Sequence, residues 1–101
     1  MTTIREIQEQ VRELREAAGF RGRSIDRRML YLTSEVGELA REVLDLAYAK
    51  PTDDTDAIKQ RAGFEIYDIV WNLCDLADLL EIDLELAFAQ KAEINRNRRW
   101  G

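Results

Sequence analysis

The sequence predicts an all-α protein built from four helices. Apolar residues recur at steps of three and four along most of the chain, as they do on one face of an α-helix. The composition is 46% hydrophobic and 35% charged, with one proline and five glycines, which favours a soluble helical protein over a disordered one. At 101 residues, the chain is expected to form a single domain over residues 1–101 with a core of limited size.

Interruptions in the apolar pattern define the ends of the helices. Gly19 ends the first helix, Ser24 is the predicted N-cap of the second, and Pro51 separates the second from the third. Asp83 is the predicted N-cap of the fourth. We therefore predict helices over about residues 3–18, 25–49, 56–80 and 84–98.

Helices 2 and 3 carry two copies of one acidic pattern. In residues 35–47 and 65–77, an acid or an amide recurs at steps of three, four and three. These positions form a helical stripe about 80° wide, and an apolar stripe lies on the same rotational side of it in both helices. We interpret the apolar stripes as core; they comprise Met29, Leu32, Val36, Leu39, Val43 and Leu46, and Ala62, Ile66, Ile69, Leu73, Leu76 and Leu80.

The short connection between helices 2 and 3 predicts how they meet. Only about six residues around Pro51 separate them, so they should form a central antiparallel hairpin. Residues equally far from a turn centred just after Pro51 should face each other. This rule pairs Glu35 with Asp68 and Glu38 with Glu65, so that four carboxylates converge halfway along the hairpin.

The converging carboxylates predict a metal site. Like charges at contact distance raise each other's pKa or recruit a cation, and an all-carboxylate set favours a hard ion such as Mg²⁺ or Mn²⁺. A single Glu-x-x-Glu is ordinary on a solvated helix face. Two copies in mirrored register beside the core instead favour metal ligation by Glu35, Glu38, Glu65 and Asp68.

Six further residues of the hairpin are expected to border this cluster. The same pairing rule brings Tyr31 to Asn72 beside the acids and predicts ion pairs at the two ends of the cluster. A purely structural role and a role in supporting the acids are equally open for them. The predicted ion pairs are Arg28 with Asp75 and Arg61 with Glu42.

Charge and composition exclude several classes of function. The net charge of −5 argues against a nucleic-acid-binding surface, and no signal peptide or membrane span is expected. The single cysteine, Cys74, leaves no internal disulfide and favours a reducing cytoplasm. The absence of histidine excludes zinc-hydrolase sites and the Glu-x-x-His di-iron bundle, and it makes Cys74 a packed thiol rather than a nucleophile.

Two features outside the hairpin suggest contacts with a ligand. Lys91, Asn95 and Arg98 recur at steps of four and three on one face of helix 4. Arg96 and Arg99 at the end of this helix are expected only to complement the negative end of the helix dipole. Lys91 lies in the middle of the helix with Asn95 one turn on, and for it a phosphate-binding role and a purely structural role are equally open. Phe20 either anchors the core or offers an aromatic platform on which a flat ligand such as a base stacks.

Together these motifs resemble the MazG-like nucleotide pyrophosphohydrolases. The resemblance covers nearly the whole chain, and this all-α superfamily also holds dimeric dUTPases and phosphoribosyl-ATP pyrophosphatases. The motifs that carry it are Glu-Val-Gly-Glu-Leu at 35–39, Glu65-x-x-Asp68, and Lys91-x-x-x-Asn95-x-x-Arg98.

The resemblance implies a four-helix MazG-like bundle that assembles as a homo-oligomer, either a dimer or a dimer of dimers. It implies Mg²⁺, with Mn²⁺ as a substitute, bound by the four acids, and phosphate contacts from Lys91 and Asn95. The implied activity is hydrolysis of a canonical or non-canonical nucleoside triphosphate to monophosphate and pyrophosphate. Glu38 is our choice for the carboxylate that orients the attacking water. The alternatives are dUTPase or phosphoribosyl-ATP pyrophosphatase activity, or a non-catalytic helical adaptor.

Overall fold

The structure is a computed structural model that describes residues 2–17 and 25–98. These residues form four α-helices and contain no strand, which confirms the all-α prediction. None of the described helices combines the length and apolar character needed to cross a membrane. The predicted helix ends are confirmed to within two residues, while Gly19 and the predicted Ser24 cap lie outside the described residues. The helices are α1 (Ile4–Ala17), α2 (Ile25–Ala47), α3 (Thr55–Leu79) and α4 (Leu84–Arg96).

Side-chain caps open three of these helices. Thr3, Asp54 and Asp83 each accept a hydrogen bond from the backbone N–H three residues further on, at 3.1, 3.1 and 3.2 Å. These bonds satisfy N–H groups that have no partner inside the helix. The Asp83 cap was predicted from the sequence and is confirmed.

The fourth helix ends earlier than predicted. It stops at Arg96, and Asn97 is the C-cap. The Arg98 N–H donates to the Asn95 carbonyl at 3.2 Å, the tighter pattern in which helices commonly end. Arg98 therefore follows the helix instead of extending its face, contrary to the prediction.

The chain divides into two compact units, and each is described separately below. One comprises residues 22–73, and the other comprises residues 1–21 with 74–101. The division falls within α3, so this helix contributes to both units. The single-domain assignment stays a prediction.

In the first unit, α2 and the beginning of α3 form the predicted antiparallel hairpin. Pro51 lies in a tight turn in which the Asp53 N–H donates to the Lys50 carbonyl at 2.9 Å. The Asp53 carboxylate in turn accepts from the Lys50 N–H at 2.7 Å. Near this turn, Arg61 on α3 pairs with Glu42 on α2 at 3.1 Å, as the pairing rule predicted.

The two apolar stripes of the hairpin are buried over only half their width. Leu32, on the side of its stripe nearer the acids, is 7% exposed. The residues on the other side are 44–52% exposed, so the prediction that the whole stripe is core was wrong. Two helices cover only part of each other's apolar face, and the remainder needs another partner. The exposed residues, here called the outer apolar strip, are Met29, Val36 and Val43 on α2 with Ile66 and Leu73 on α3.

In the second unit, buried ion pairs hold α1 against the end of α3. Arg15 donates to Asp75 at 2.6 Å and also to Asp78, while Arg12 donates to Asp78 at 2.9 Å through its Nε. The side chains of Asp75 and Asp78 are only 5% and 6% exposed. The hydrogen bonds from Arg12 and Arg15 hold the pKa of Asp78 below its usual value. Cys74, next to Asp75, is 1% exposed, and this burial raises the pKa of its thiol.

A buried amide joins α1 to the connection between α3 and α4. Gln8 is 7% exposed, and its Nε2 donates to the Ile82 carbonyl at 3.0 Å. Its Oε1 accepts from the Leu84 N–H at 3.2 Å. The amide thus satisfies two backbone groups of the connection that the helices leave unpaired.

The end of α3 contains a residue in the left-handed conformation. Glu81 has a φ of 57°, and its N–H donates to the Asp78 carbonyl at 3.0 Å. The Ile82 N–H donates to the Ala77 carbonyl at 2.8 Å, which completes a Schellman motif. A residue with a Cβ is strained in this conformation, where glycine is not.

Replacing Glu81 by glycine is therefore expected to stabilise the protein. Relief of the left-handed strain outweighs the extra chain entropy of glycine, for a net gain of roughly 0.5–1 kcal/mol. Urea unfolding at fixed pH measures this gain. Glu81→Ala, which removes the charge but keeps the Cβ, is the control and should change stability little. Equal effects of the two substitutions would assign the change to the charge of Glu81 instead.

Candidate metal centre

The hairpin brings three carboxylates together. Glu35 and Glu38 lie one turn apart on α2, and Glu65 lies on α3. One carboxylate oxygen from each residue lies within 4.8 Å of the other two. Residues three apart share a helix face, so Glu35 and Glu38 approach the same point on α3.

The three carboxylates differ in their access to water. Glu35 is 6% exposed, Glu65 is half-buried and Glu38 is exposed. The Oε2 atoms of Glu35 and Glu65 are buried, and neither accepts a hydrogen bond from any group in the described residues. A buried carboxylate oxygen without a partner is costly, so the arrangement favours a proton or a cation at this point.

The contact between Glu35 and Glu65 changes the acidity of Glu65. The pKa of Glu65 is raised to about 7, first by the neighbouring carboxyl group of Glu35 and then by burial. The negative charges of Glu38, Glu35 and Asp68 raise this pKa further. Two carboxyl groups in contact share a proton more readily than they carry two negative charges. Near neutral pH, the contact therefore still retains a proton for part of the time.

Tyr31 borders the carboxylates, as the pairing rule predicted. The neighbouring Glu35, one turn further along α2, is the largest cause of the raised pKa of its hydroxyl. The negative charges of Glu35, Asp68 and Glu38 raise the pKa of Tyr31 further. Half of the tyrosine remains exposed, so it lies where the carboxylates meet solvent.

Three of the four acids that the pairing rule brings together converge in the structure. Glu35, Glu38 and Glu65 form the group, with Glu38 near Glu65 as predicted, while Asp68 is not among the converging carboxylates of the described residues. Asp68 remains near enough for its charge to raise the pKa values of Glu65 and Tyr31. Counting from the turn fixes height only to about one turn, because residues three apart share a face. The aspartate side chain is also one methylene shorter than that of glutamate.

A hydrogen-bonded bridge that the sequence did not predict lies at the open end of the hairpin. Asn72 is 5% exposed, its Oδ1 accepts from Arg28 Nη1 at 2.8 Å, and its Nδ2 donates to the Asp68 carbonyl at 2.8 Å. The predicted ion pair between Arg28 and Asp75 stays a prediction, and Asp75 accepts from Arg15 as described above. Both ends of the bridge lie on the predicted facing stripes of α2 and α3.

The residues predicted to contact phosphate or base lie outside the hairpin. Lys91 and Asn95 are exposed on α4, and Arg98 is exposed just beyond it. These three belong to the second unit. Phe20 lies outside the described residues. The phosphate-binding and base-stacking roles therefore stay predictions.

The ligand atoms that the hairpin offers determine which metal ions it can bind. Three carboxylates supply only oxygen ligands, two of them with a buried oxygen that lacks a partner. Oxygen ligands of this kind suit Mg²⁺, Mn²⁺ and Ca²⁺ better than metals that prefer nitrogen or sulfur. The residues present therefore fit a hard divalent cation.

Comparison of the chain with models of protein families, with curated proteins and with solved structures gives no match. The MazG-like resemblance accordingly rests on the sequence motifs alone.

Proposed function

We propose that the chain is a Mg²⁺-dependent nucleoside triphosphate pyrophosphohydrolase. The observation that supports this most strongly is the pair of buried, unpartnered carboxylate oxygens on Glu35 and Glu65, next to the exposed carboxylate of Glu38. The position of cleavage, between the α and β phosphates, comes from the resemblance to MazG-like enzymes. The nature of the base and the sugar is left open.

Glu35, Glu38 and Glu65 would hold the cation, with Asp68 close enough to contribute. When bound, Mg²⁺ neutralises phosphate charge and lowers the pKa of a coordinated water. The cation would also replace the proton that Glu35 and Glu65 share, which removes the repulsion between them.

Glu38 is the best candidate for the residue that orients the attacking water. It is exposed, whereas Glu35 is buried and Glu65 is half-buried, so Glu38 is the carboxylate most open to a water molecule. The water oxygen bonds to the α-phosphorus, its proton passes to Glu38, and the bond from the α-phosphorus to the bridging oxygen breaks. Lys91 and Asn95 would contact the departing pyrophosphate, where negative charge increases, and Arg98 would add a further positive charge.

The outer apolar strip supports self-association as part of this proposal. Its residues recur at steps of seven on each helix, which is the spacing of helices that pack side by side. A second copy presenting the same strip would cover it and complete a four-helix core across a two-fold axis. We propose a dimer or a dimer of dimers in the cytoplasm, with no nucleic-acid or membrane partner.

The same strip favours a second candidate function. An exposed apolar strip is also what a non-catalytic helical adaptor offers to another protein. In that case the carboxylates would be solvated surface groups, and nucleotides would not be hydrolysed.

The activity is tested with a panel of canonical, deoxy and modified nucleoside triphosphates and phosphoribosyl-ATP, in the presence of Mg²⁺ or Mn²⁺. Wild type should release monophosphate and pyrophosphate, resolved by chromatography. Glu38→Gln should lower turnover by at least about a hundredfold, because it removes a charge that accepts the proton. The metal-free variant should be no less stable than wild type, since the substitution removes repulsion.

Each other outcome has a defined meaning. Diphosphate with orthophosphate as products would refute the position of cleavage. Turnover of no substrate would favour the adaptor. Strong destabilisation of metal-free Glu38→Gln would make Glu38 a structural partner and contradict its catalytic assignment.

The stability of the metal-free protein should also depend on pH through Glu65. The unfolded chain loses this proton near pH 4.5, whereas the folded protein holds it up to a pKa of about 7. The contribution of Glu65 is therefore fully present below pH 4.5 and is lost as pH rises to 7. Thermal unfolding of chelator-treated protein between pH 4.5 and 8 measures this change. Relative to wild type, Glu65→Gln should gain stability as the pH rises.

Glu13→Gln, at an exposed position on α1, is the matched control for that measurement. Its difference from wild type should stay constant over the same pH range. A constant difference for Glu65→Gln as well would mean that Glu35 and Glu65 do not share a proton.

The oligomeric state tests the proposed role of the outer apolar strip. Light scattering at micromolar concentration should show at least a dimer. Val36→Glu, at the middle of the strip, should shift the protein toward the monomer because it buries a charge in the proposed interface. Tyr48→Glu is the control, since Tyr48 is 80% exposed and lies outside the strip. A monomeric wild type that hydrolyses nucleotide would contradict the proposed assembly.

A further inference from the structure

Two polar links between α2 and α3 bracket the carboxylates. Toward the turn, Arg61 pairs with Glu42, and their side chains are 53% and 17% exposed. Toward the open end, Arg28 donates to Asn72, which is 5% exposed. The two links differ in burial, and therefore in how strongly each resists separation of the helices.

Both ends of the Asn72 amide have a partner, which fixes its orientation. Its Oδ1 accepts from Arg28 at 2.8 Å, while its Nδ2 donates to the Asp68 carbonyl at 2.8 Å, one turn earlier on α3. In the flipped orientation, the NH₂ group would face the guanidinium, which has only donors. Asn72 therefore connects the turn of α3 that carries Asp68 to the first part of α2.

The bridge between Arg28 and Asn72 opposes the electrostatic repulsion among the three carboxylates of the hairpin. Glu35, Glu38 and Glu65 place negative charge within 4.8 Å of one another, which in the absence of a cation pushes α2 and α3 apart. Separating the helices at Asn72 would break a partly buried, charge-assisted hydrogen bond and remove the Arg28 donor from the amide oxygen of a buried side chain. Separating them at the pair of Arg61 and Glu42, where the guanidinium is 53% exposed, costs less because water can solvate the freed charge.

We propose that Asn72 is a positioning residue for the cation ligands. By binding Arg28 across the hairpin, it holds α3 against α2, so that the carboxylates are assembled before a cation arrives. Without the bridge, part of the cation's binding free energy would be spent on drawing the helices together. This inference rests on the cation site of the proposed function.

The test is calorimetric titration of Mn²⁺ into metal-free protein without nucleotide. Asn72→Leu removes the bridge and keeps a similar volume, and it should weaken Mn²⁺ binding by roughly tenfold, as is typical for residues that support metal ligands. Arg28→Gln should also weaken it. The double variant should bind no more weakly than Arg28→Gln alone, because the two residues act through one bond.

Ile58→Val supplies the matched control. Ile58 is 7% exposed on α3, and its loss of a methylene group lowers stability without touching the polar bridge. Thermal unfolding of the metal-free proteins should show that both Asn72→Leu and Ile58→Val are less stable than wild type. Only Asn72→Leu should lose affinity for Mn²⁺, a distinction that a purely structural role of Asn72 would not produce.

The outcomes separate this inference from the proposed function. Mn²⁺ binding by Asn72→Leu as tight as that of wild type would overturn the positioning role and leave the cation site intact. If Asn72→Leu does not fold, unchanged Mn²⁺ binding by Arg28→Gln overturns the role in the same way. Absence of Mn²⁺ binding by wild type at millimolar concentration would overturn both the cation site and the role of Asn72.

Discussion

The contact between Glu35 and Glu65 is the constraint on which the rest of the hairpin depends. Two carboxyl groups meet where one is almost fully buried, and each retains a buried oxygen with no partner among the described residues. Such a contact destabilises a folded chain unless a proton or a cation intervenes. The hairpin tolerates it because the turn at Pro51 closes one end and the bridge between Arg28 and Asn72 secures the other. A site that costs stability and is held in place by its surroundings is typical of function rather than of packing.

Most of the correct predictions came from the helical spacing of apolar residues and from the residues that form the turn. The spacing of apolar residues gave four helices, and Pro51 with its short connection gave the antiparallel hairpin. The ion pair between Arg61 and Glu42 followed because it lies close to the turn, where an error in register has had little length over which to accumulate. Farther away, the same counting brought Glu35, Glu38 and Glu65 together but also included Asp68, which lies outside the converging group. Periodicity specifies a face, but it does not specify height to better than about one turn.

Other features of the structure could not be predicted from the spacing of residues along the sequence. The buried pairs that Arg15 forms with Asp75 and Asp78 depend on how α1 lies on the end of α3, and neither pattern nor composition encodes that orientation. An apolar stripe shows which residues avoid water without showing what covers them. The sequence therefore predicts Val36 and Ile66 as core residues, whereas in the structure both are about half exposed. The early end of α4 reflects competition between helical and tighter bonds in a last turn, which small local differences decide.

The absence of histidine gives the raised pKa of Glu65 a further consequence. In most proteins, imidazole groups dominate proton exchange between pH 5 and 8, and they mask any carboxyl group that titrates there. This chain has no imidazole, and its carboxyl group at Glu65 titrates near 7. Carboxyl carbon resonances, or the carbonyl stretch of a neutral carboxylic acid, would therefore report on the Glu35 and Glu65 contact without interference from imidazole. The lack of histidine thus makes the carboxyl contact between Glu35 and Glu65 directly observable by spectroscopy.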